Sequence, residues 1–344
     1  MTLSRRGLIR ATVAASMVVA VAAATAACGS SSGGDSQSIT VYNAQHEDLT
    51  KLEADAFTAQ TGIKVTLRNG DDSELSNQLV QEGSATPADV FLTENSPGMT
   101  LVDSKGLFAS VDQATRAQVP DQYAAKDGNW VGWAARSTVL PYNATKLTPE
   151  QLPASIMDLA QPQWKGKIGI SPSGADFQAI VSAVVQLKGD DVAAAWLKGL
   201  KENAKIYQGN TSVMKAVNTG EVEAGVIYHY YWFGDKAESG ANSKNVQLKY
   251  FKNQDPGAFA SVSGAGVLKS SKHSDAAQKF VAFLTSQQGQ QVLSDSNAFE
   301  YSIASGVPAN PKLVPLAELN PPKVDVSALN GPKVVDLMRQ AGLI

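Results

Sequence analysis

Two adjacent phenols, Tyr230 and Tyr231, stand near the end of the apolar run Val226-Ile227-Tyr228-His229-Tyr230-Tyr231-Trp232-Phe233. Phenolate oxygen is a hard donor, and hard, highly charged cations prefer oxygen. Successive side chains of a strand point to opposite faces, so two neighbouring tyrosines share one ligand only where the strand stops and the chain turns. The plainer reading is an aromatic core run, in which the rings only pack. His46 and Glu94 would add an imidazole and a carboxylate, completing a mainly oxygen-based, strongly negative set suited to ferric iron. A free phenol ionises near pH 10, so iron would have to displace its proton, and acid should release the metal. Soft-metal chemistry would need placed cysteine or methionine. A calcium loop would need closely spaced acids, and Asp71-Asp72 after Asn69-Gly70 lacks that spacing.

The elements that must position these residues alternate between strand and helix. Ile39–Asn43 reads as a strand, Asp48–Gln60 as a helix, Ile63–Leu67 as a strand, Ser73–Glu82 as a helix with Ser73 as its cap, and Asp89–Thr93 as a strand. The same grammar returns with strands at Lys167–Ser171, Lys205–Tyr207 and Glu223–Ile227, and with helices at Ala175–Leu187, Val192–Asn203 and Ser212–Asn218. This predicts an α/β protein with a mostly parallel sheet in each half. Open α/β sheets bind ligands beyond the carboxyl ends of their strands. His46, Glu94, Asn210, Tyr230 and Tyr231 all follow such ends. Pro172-Ser173-Gly174-Ala175 joins a strand to a helix N-terminus, a natural seat for an anion. Taken alone, His46 reads as a cap and Glu94 as a turn residue before Asn95-Ser96-Pro97; their shared place after strands changes that. His229 reads as supporting or exposed rather than as a ligand, and Trp232-Phe233 as packing behind the site.

The N-terminus reads as an export signal. Arg5, Arg6 and Arg10 precede an uncharged Ala/Val stretch over residues 11–27 that ends in small residues. Both a twin-arginine and a general secretory signal fit. Cys28, the only cysteine, follows Thr25-Ala26-Ala27 and precedes a Gly/Ser run over 29–34, so it has no partner for a disulfide. The pattern resembles a lipobox, which would make Cys28 the lipidated start of the mature chain and residues 28–37 its tether. Removing residues 1–27 leaves 26 basic against 32 acidic residues, a net charge of −6 in place of −3. An acidic surface disfavours nucleic acid and anionic lipid as partners. The remaining 317 residues exceed a usual single core, so two lobes are expected.

With these residues quoted, the chain resembles the periplasmic ferric-ion-binding proteins, the solute receptors of bacterial iron(III) ABC importers. Val41-Tyr42-Asn43-Ala44-Gln45-His46 and Thr86-Pro87-Ala88-Asp89-Val90-Phe91-Leu92-Thr93-Glu94 are similar to the family's ligand-bearing segments, and Trp164–Gly169, Trp196–Asn203 and Gln254–Ala258 to its other signatures. The resemblance implies a two-lobed type II binding-protein fold with Fe3+ as cargo in an interlobe cleft. It implies His46, Glu94, Tyr230 and Tyr231 as metal ligands. It also implies a synergistic carbonate or phosphate at Ser173, Gly174, Ala175 and Asn210. Tyr228 stands where phosphate-using members carry asparagine. Arg136 either joins the anion site or solvates a hinge strand.

Three function classes follow. One is a ferric-iron receptor, expected as a monomer that delivers to an importer permease and touches the membrane only through its lipid anchor. Another is a receptor of the same fold for an oxyanion or small organic solute (thiamine, polyamine, phosphonate). The last is an extracellular enzyme, for which the chain offers no Gly-x-Ser-x-Gly elbow, P-loop or His-Glu-x-x-His; the expectation is no enzyme. The first lobe is expected over 38–136 with 262–312, and the second over 137–261 with 313–344. The chain should cross between them near Arg136–Pro141 and Ala260–Gly264.

Overall fold

In the computed structural model, which describes residues 38–344, the strands follow the expected grammar with shifted ends. The signal segment, Cys28 and the tether lie outside the described residues. The strands are β1 (Ser38–Asn43), β2 (Lys64–Asn69), β3 (Val90–Leu92), β4 (Val131–Asn143), β5 (Ile168–Ile170), β6 (Ala204–Ile206), β7 (Ala224–Gly225), β8 (Ile227–Tyr228), β9 (Val246–Tyr250), β10 (Ala260–Val267) and β11 (Tyr301–Ser302). They line up as β2-β1-β3-β10-β4-β7-β5-β6, with β8, β9 and β11 also pairing β4. β1 is parallel to β2 and β3, and β5 is parallel to β6 and β7, which gives two parallel groups. β4 and β10 run antiparallel through the middle. β4 is buried along its whole length and belongs to both groups. The chain is thus an α/β protein of the type II binding-protein fold.

The helices that matter for the site are α1 (Glu47–Thr61), α2 (Asp72–Glu82) and α3 (Ser96–Asp103) on one side of β4. On the other are, after the short α4 (Gln113–Arg116), α5 (Ala175–Lys188), α6 (Asp190–Asn203), α7 (Asn210–Thr219) and α8 (His229–Glu238). Two expectations need correction. Asp71, not Ser73, caps α2: its side chain accepts from the Glu74 amide. Tyr230 and Tyr231 do not sit on a turn at a strand's end, because β8 stops at Tyr228 and both lie inside α8. The β-branched and aromatic run favours a strand locally. Tertiary contacts decide otherwise: the Ser137 amide of β4 donates to His229 Nδ1 at the first residue of the helix.

The helix that follows the His46 turn carries a built-in cost. Glu53 on α1 is fully buried, and neither carboxylate oxygen finds a hydrogen-bond partner among the described residues. Burial pushes its carboxyl well above the usual range. Between its unfolded pKa and the raised folded one, the native state holds a proton that the unfolded chain releases. Stability therefore falls as pH rises through that window. Glu53→Leu should stabilise the protein by about 1–3 kcal/mol near pH 8, and by less near pH 5. Thermal melts of both proteins at the two pH values check this; equal gains at both would remove Glu53 as the cause.

Candidate metal centre

Each candidate ligand sits where a strand gives way to a helix N-terminus. His46 caps α1 after β1, and Glu94 follows β3, one residue before the Asn95 cap of α3. Asp176 is the second residue of α5, Asn210 the first of α7, and Tyr230 and Tyr231 the second and third of α8. Helical side chains lean toward the N-terminus, so both phenols tilt past the end of α8 although neighbouring helical residues do not share a face. The positive helix ends favour ionised donors.

The donor atoms form a chain of short contacts. The Tyr230 hydroxyl donates to Glu94 Oε1 at 2.6 Å and lies 3.3 Å from Asp176 Oδ2. The Tyr231 hydroxyl reaches the same Asp176 oxygen at 3.1 Å, and His46 Nε2 lies 3.4 Å from Glu94 Oε1. The Tyr230 ring lies tilted against that of Tyr231 with centroids 4.3 Å apart and meets the His46 ring edge-on at 4.7 Å. Among the described residues, His, Cys, Asp and Glu alone form no group of three or more suited to a metal. The two tyrosine hydroxyls are the further oxygen donors beside these side chains.

Other residues hold these donors in place. Asp72 accepts from the amides of Glu94 and Asn95 at 2.9 Å each, fixing the turn that carries Glu94. The nearest thing to a calcium loop in the sequence is therefore a positioning carboxylate. Asn95 Nδ2 donates to Asp176 Oδ1 at 3.0 Å and Asn210 Nδ2 to Asp176 Oδ2 at 2.7 Å. Tyr228 is fully buried, and its hydroxyl lies 3.3 Å from Asn95 Oδ1. His229 is buried, and burial lowers its imidazole to about 3, so it is a neutral structural acceptor. Trp232 donates to the Val246 carbonyl, behind the site.

The expected anion turn is present, but its hydroxyl faces elsewhere. Ser173 is exposed, with Oγ toward Gln208 at 3.4 Å; Gly174 and Ala175 are half-buried beside it. Arg136 does not solvate a hinge strand, since it is fully buried. Its Nη2 contacts Glu300 Oε2 at 2.6 Å and Ser263 Oγ at 2.5 Å, and its guanidinium lies 6.0 Å from the Tyr228 and Tyr230 ring centres. Asp176 and Glu300 are the acids that sequence reasoning passed over. The signal for Asp176 was available, since it directly follows the Ser173-Gly174-Ala175 turn at a helix N-terminus. Glu300 carried no local signal.

The charges are strongly perturbed. Burial would raise the Glu94 carboxyl, but the His46 hydrogen bond and the Arg136 charge override it and hold it down at about 2. Burial and the Glu94 charge push Asp176 up to about 7. Burial, then the charges of Asp176 and Glu94, drive both phenols well above their usual range. Without a cation the phenols therefore keep their protons. Tyr230 is 6% and Glu94 18% exposed, whereas His46 is 33% exposed, so the site is reached past the imidazole. A groove of about 780 Å³ opens there, lined by His46, Glu47, Asp48 and Glu238 among others.

A family model for bacterial extracellular solute-binding proteins matches residues 85–327. The Fe(3+)-binding periplasmic protein of Serratia marcescens is 59% identical over 334 residues, 97% of each chain. This chain belongs to the bacterial extracellular solute-binding proteins. Within that family it groups with ferric-ion-binding members. The major ferric iron-binding protein of Neisseria meningitidis serogroup B is 40% identical over 310 residues, 89% of this chain and 93% of that one. The crystal structure of iron-bound HitA from Pseudomonas aeruginosa matches with a TM-score of 0.84 at 44% identity, covering 89% of this chain and 99% of that chain. As a solute-binding protein of this family, the chain works outside the cytoplasm. Among its described residues no helix is long and apolar enough to cross a membrane.

Proposed function

We propose that this protein captures ferric iron with His46, Glu94, Tyr230, Tyr231 and Asp176 and hands it to an ABC importer. The observation that carries this reading is the spacing of the donors. Bonds of about 2.0–2.1 Å to a small hard cation put neighbouring octahedral donors about 2.9 Å apart. The five donor atoms are linked by contacts of 2.6, 3.4, 3.3 and 3.1 Å, close to the edges of such a polyhedron. Ferric iron would take the phenol protons, as its charge outweighs the burial that keeps them bound.

In this reading Asp176 stands in for the synergistic anion. Its carboxylate already occupies the donors that carbonate or phosphate would use, including Asn210. Arg136 supplies buried positive charge rather than a seat for an outside anion. Residues 38–136 with 262–312 and 137–261 with 313–344 act as the two lobes, hinged along β4 and β10. His46 and Glu94 come from one lobe, and Asp176, Tyr230 and Tyr231 from the other. Neither lobe holds a full shell, so iron stabilises the closed state. The protein acts as a monomeric receptor without enzyme activity, tethered through a lipid on Cys28.

A visible absorption titration of the mature protein with ferric citrate tests this. We expect a phenolate-to-iron charge-transfer band that saturates at one iron per chain, reaches the same height without carbonate or phosphate, and bleaches in acid. No band from folded protein would overturn the iron assignment. A band that needs added anion would overturn the role of Asp176.

A further inference from the structure

Glu300 is not among the proposed ligands, although it is fully buried and one of its oxygens has no hydrogen-bond partner among the described residues. Its other oxygen, Oε2, is taken by Arg136 Nη2 at 2.6 Å, with Gln45 Nε2 at 3.5 Å. The free oxygen, Oε1, lies 3.6 Å from His46 Nδ1, on the opposite edge of the imidazole from the nitrogen that faces Glu94. The local backbone is bent to put Glu300 there. Phe299 has φ of 53°, a left-handed conformation that bulky residues avoid, and Tyr301 then pairs with Ala135 on β4. Gln45 ties the same group together: its Oε1 accepts from the His46 amide at 2.8 Å and its Nε2 donates to Ser263 at 2.6 Å.

We infer that Glu300 is the positioning residue for His46, holding the imidazole with its proton on Nδ1 so that the Nε2 lone pair points at the ion. A neutral imidazole has two tautomers, and only one leaves Nε2 free. Once the ion engages Glu94, which otherwise faces Nε2 at 3.4 Å, a carboxylate opposite Nδ1 favours that tautomer and fixes the ring, and loss of such a partner typically costs ten- to a hundredfold in metal affinity. Arg136 makes the selection one-directional. It needs an acceptor, so in Glu300→Gln the amide oxygen turns to Arg136 and the NH2 group faces Nδ1. That arrangement favours the wrong tautomer. His46 and Glu300 both lie on the side of β4 built around β1, β3 and β10, so the contact does not require closure on iron.

This inference rests on the ferric reading, but its test separates the two. In metal-free Glu94→Ala protein at about pH 9, where a histidine is neutral and no carboxylate competes for Nε2, ¹⁵N NMR of His46 should show the proton on Nδ1. Adding Glu300→Gln should move it toward Nε2. A proton on Nε2 in Glu94→Ala alone overturns the role of Glu300 whether or not iron binds. Iron affinity, read by competition with a chelator, should fall about ten- to a hundredfold in Glu300→Gln and not fall further when Glu300→Gln is added to His46→Ala. An equal loss in both backgrounds would mean that Glu300 acts through general charge or structure, and would sink the proposal. A wild-type protein that binds no iron would sink the ferric reading instead.

Discussion

Tyr231→Phe should leave a folded protein that has lost tight ferric-iron binding. The ring stays half-buried against its neighbours, and the change removes one hydroxyl whose contact is Asp176 Oδ2 at 3.1 Å. Asp176 keeps Asn95 and Asn210 as donors, so the fold loses no more than a typical hydrogen bond, about 0.5–1.5 kcal/mol. The effect on iron is of another order. A phenolate is an anionic donor inside a buried site, and no water or neighbouring group supplies its charge. The affinity loss should exceed the ten- to hundredfold typical of a supporting residue. Tyr230 alone should leave at most a weak charge-transfer band. Thermal melting and a chelator competition on the same preparation separate the two effects. Unchanged iron affinity would end the assignment.

What the sequence reveals about this site follows from how far apart the interacting residues lie. The rule that ligands gather beyond the carboxyl ends of strands finds His46, Glu94, Tyr230 and Tyr231, because each is one to three residues past a strand. The structure brings those four together. The same rule stops short at α5. A turn followed by a helix N-terminus suggests an outside anion, and it takes the fold to show that Asp176, one residue beyond the turn, points its own carboxylate at the phenols. Asp72 needs the fold for a related reason. Its spacing beside Asp71 already argues against a calcium loop, but only the fold shows that its oxygens serve the amides of Glu94 and Asn95, more than twenty residues away. Glu300 is beyond local reasoning altogether, since its partners Arg136 and His46 are 164 residues or more distant. The helical start at His229 is similar. The run before it is strand-like, and a contact from Ser137 on the central strand supports the change.

If Asp176 replaces the anion, then Asp176→Ala should turn an anion-independent receptor into an anion-dependent one. Removing the carboxylate takes away one anionic ligand and leaves the side-chain amides of Asn95 and Asn210 without an acceptor, and unpaired buried donors are costly. Those amides and the N-terminus of α5 would then face the space that the carboxylate leaves, offering donors to a small oxyanion. In buffer free of carbonate and phosphate, iron affinity should fall at least as far as the upper end of the hundredfold range for supporting residues. Adding phosphate or carbonate should restore a large part of it, with a shifted charge-transfer band because the new ligand differs. Wild-type protein should show neither the loss nor the rescue. A variant that binds iron as tightly as wild type without anion would take Asp176 out of the coordination shell. A variant that no anion rescues would place Asp176 there, but would mean that the turn before it has lost its capacity to hold an anion. The pair of titrations thus asks whether the charge that balances ferric iron comes from the chain itself. We expect that it does, because the four side chains that touch the Asp176 carboxylate, from α7, α8 and the turn before α3, include both phenols.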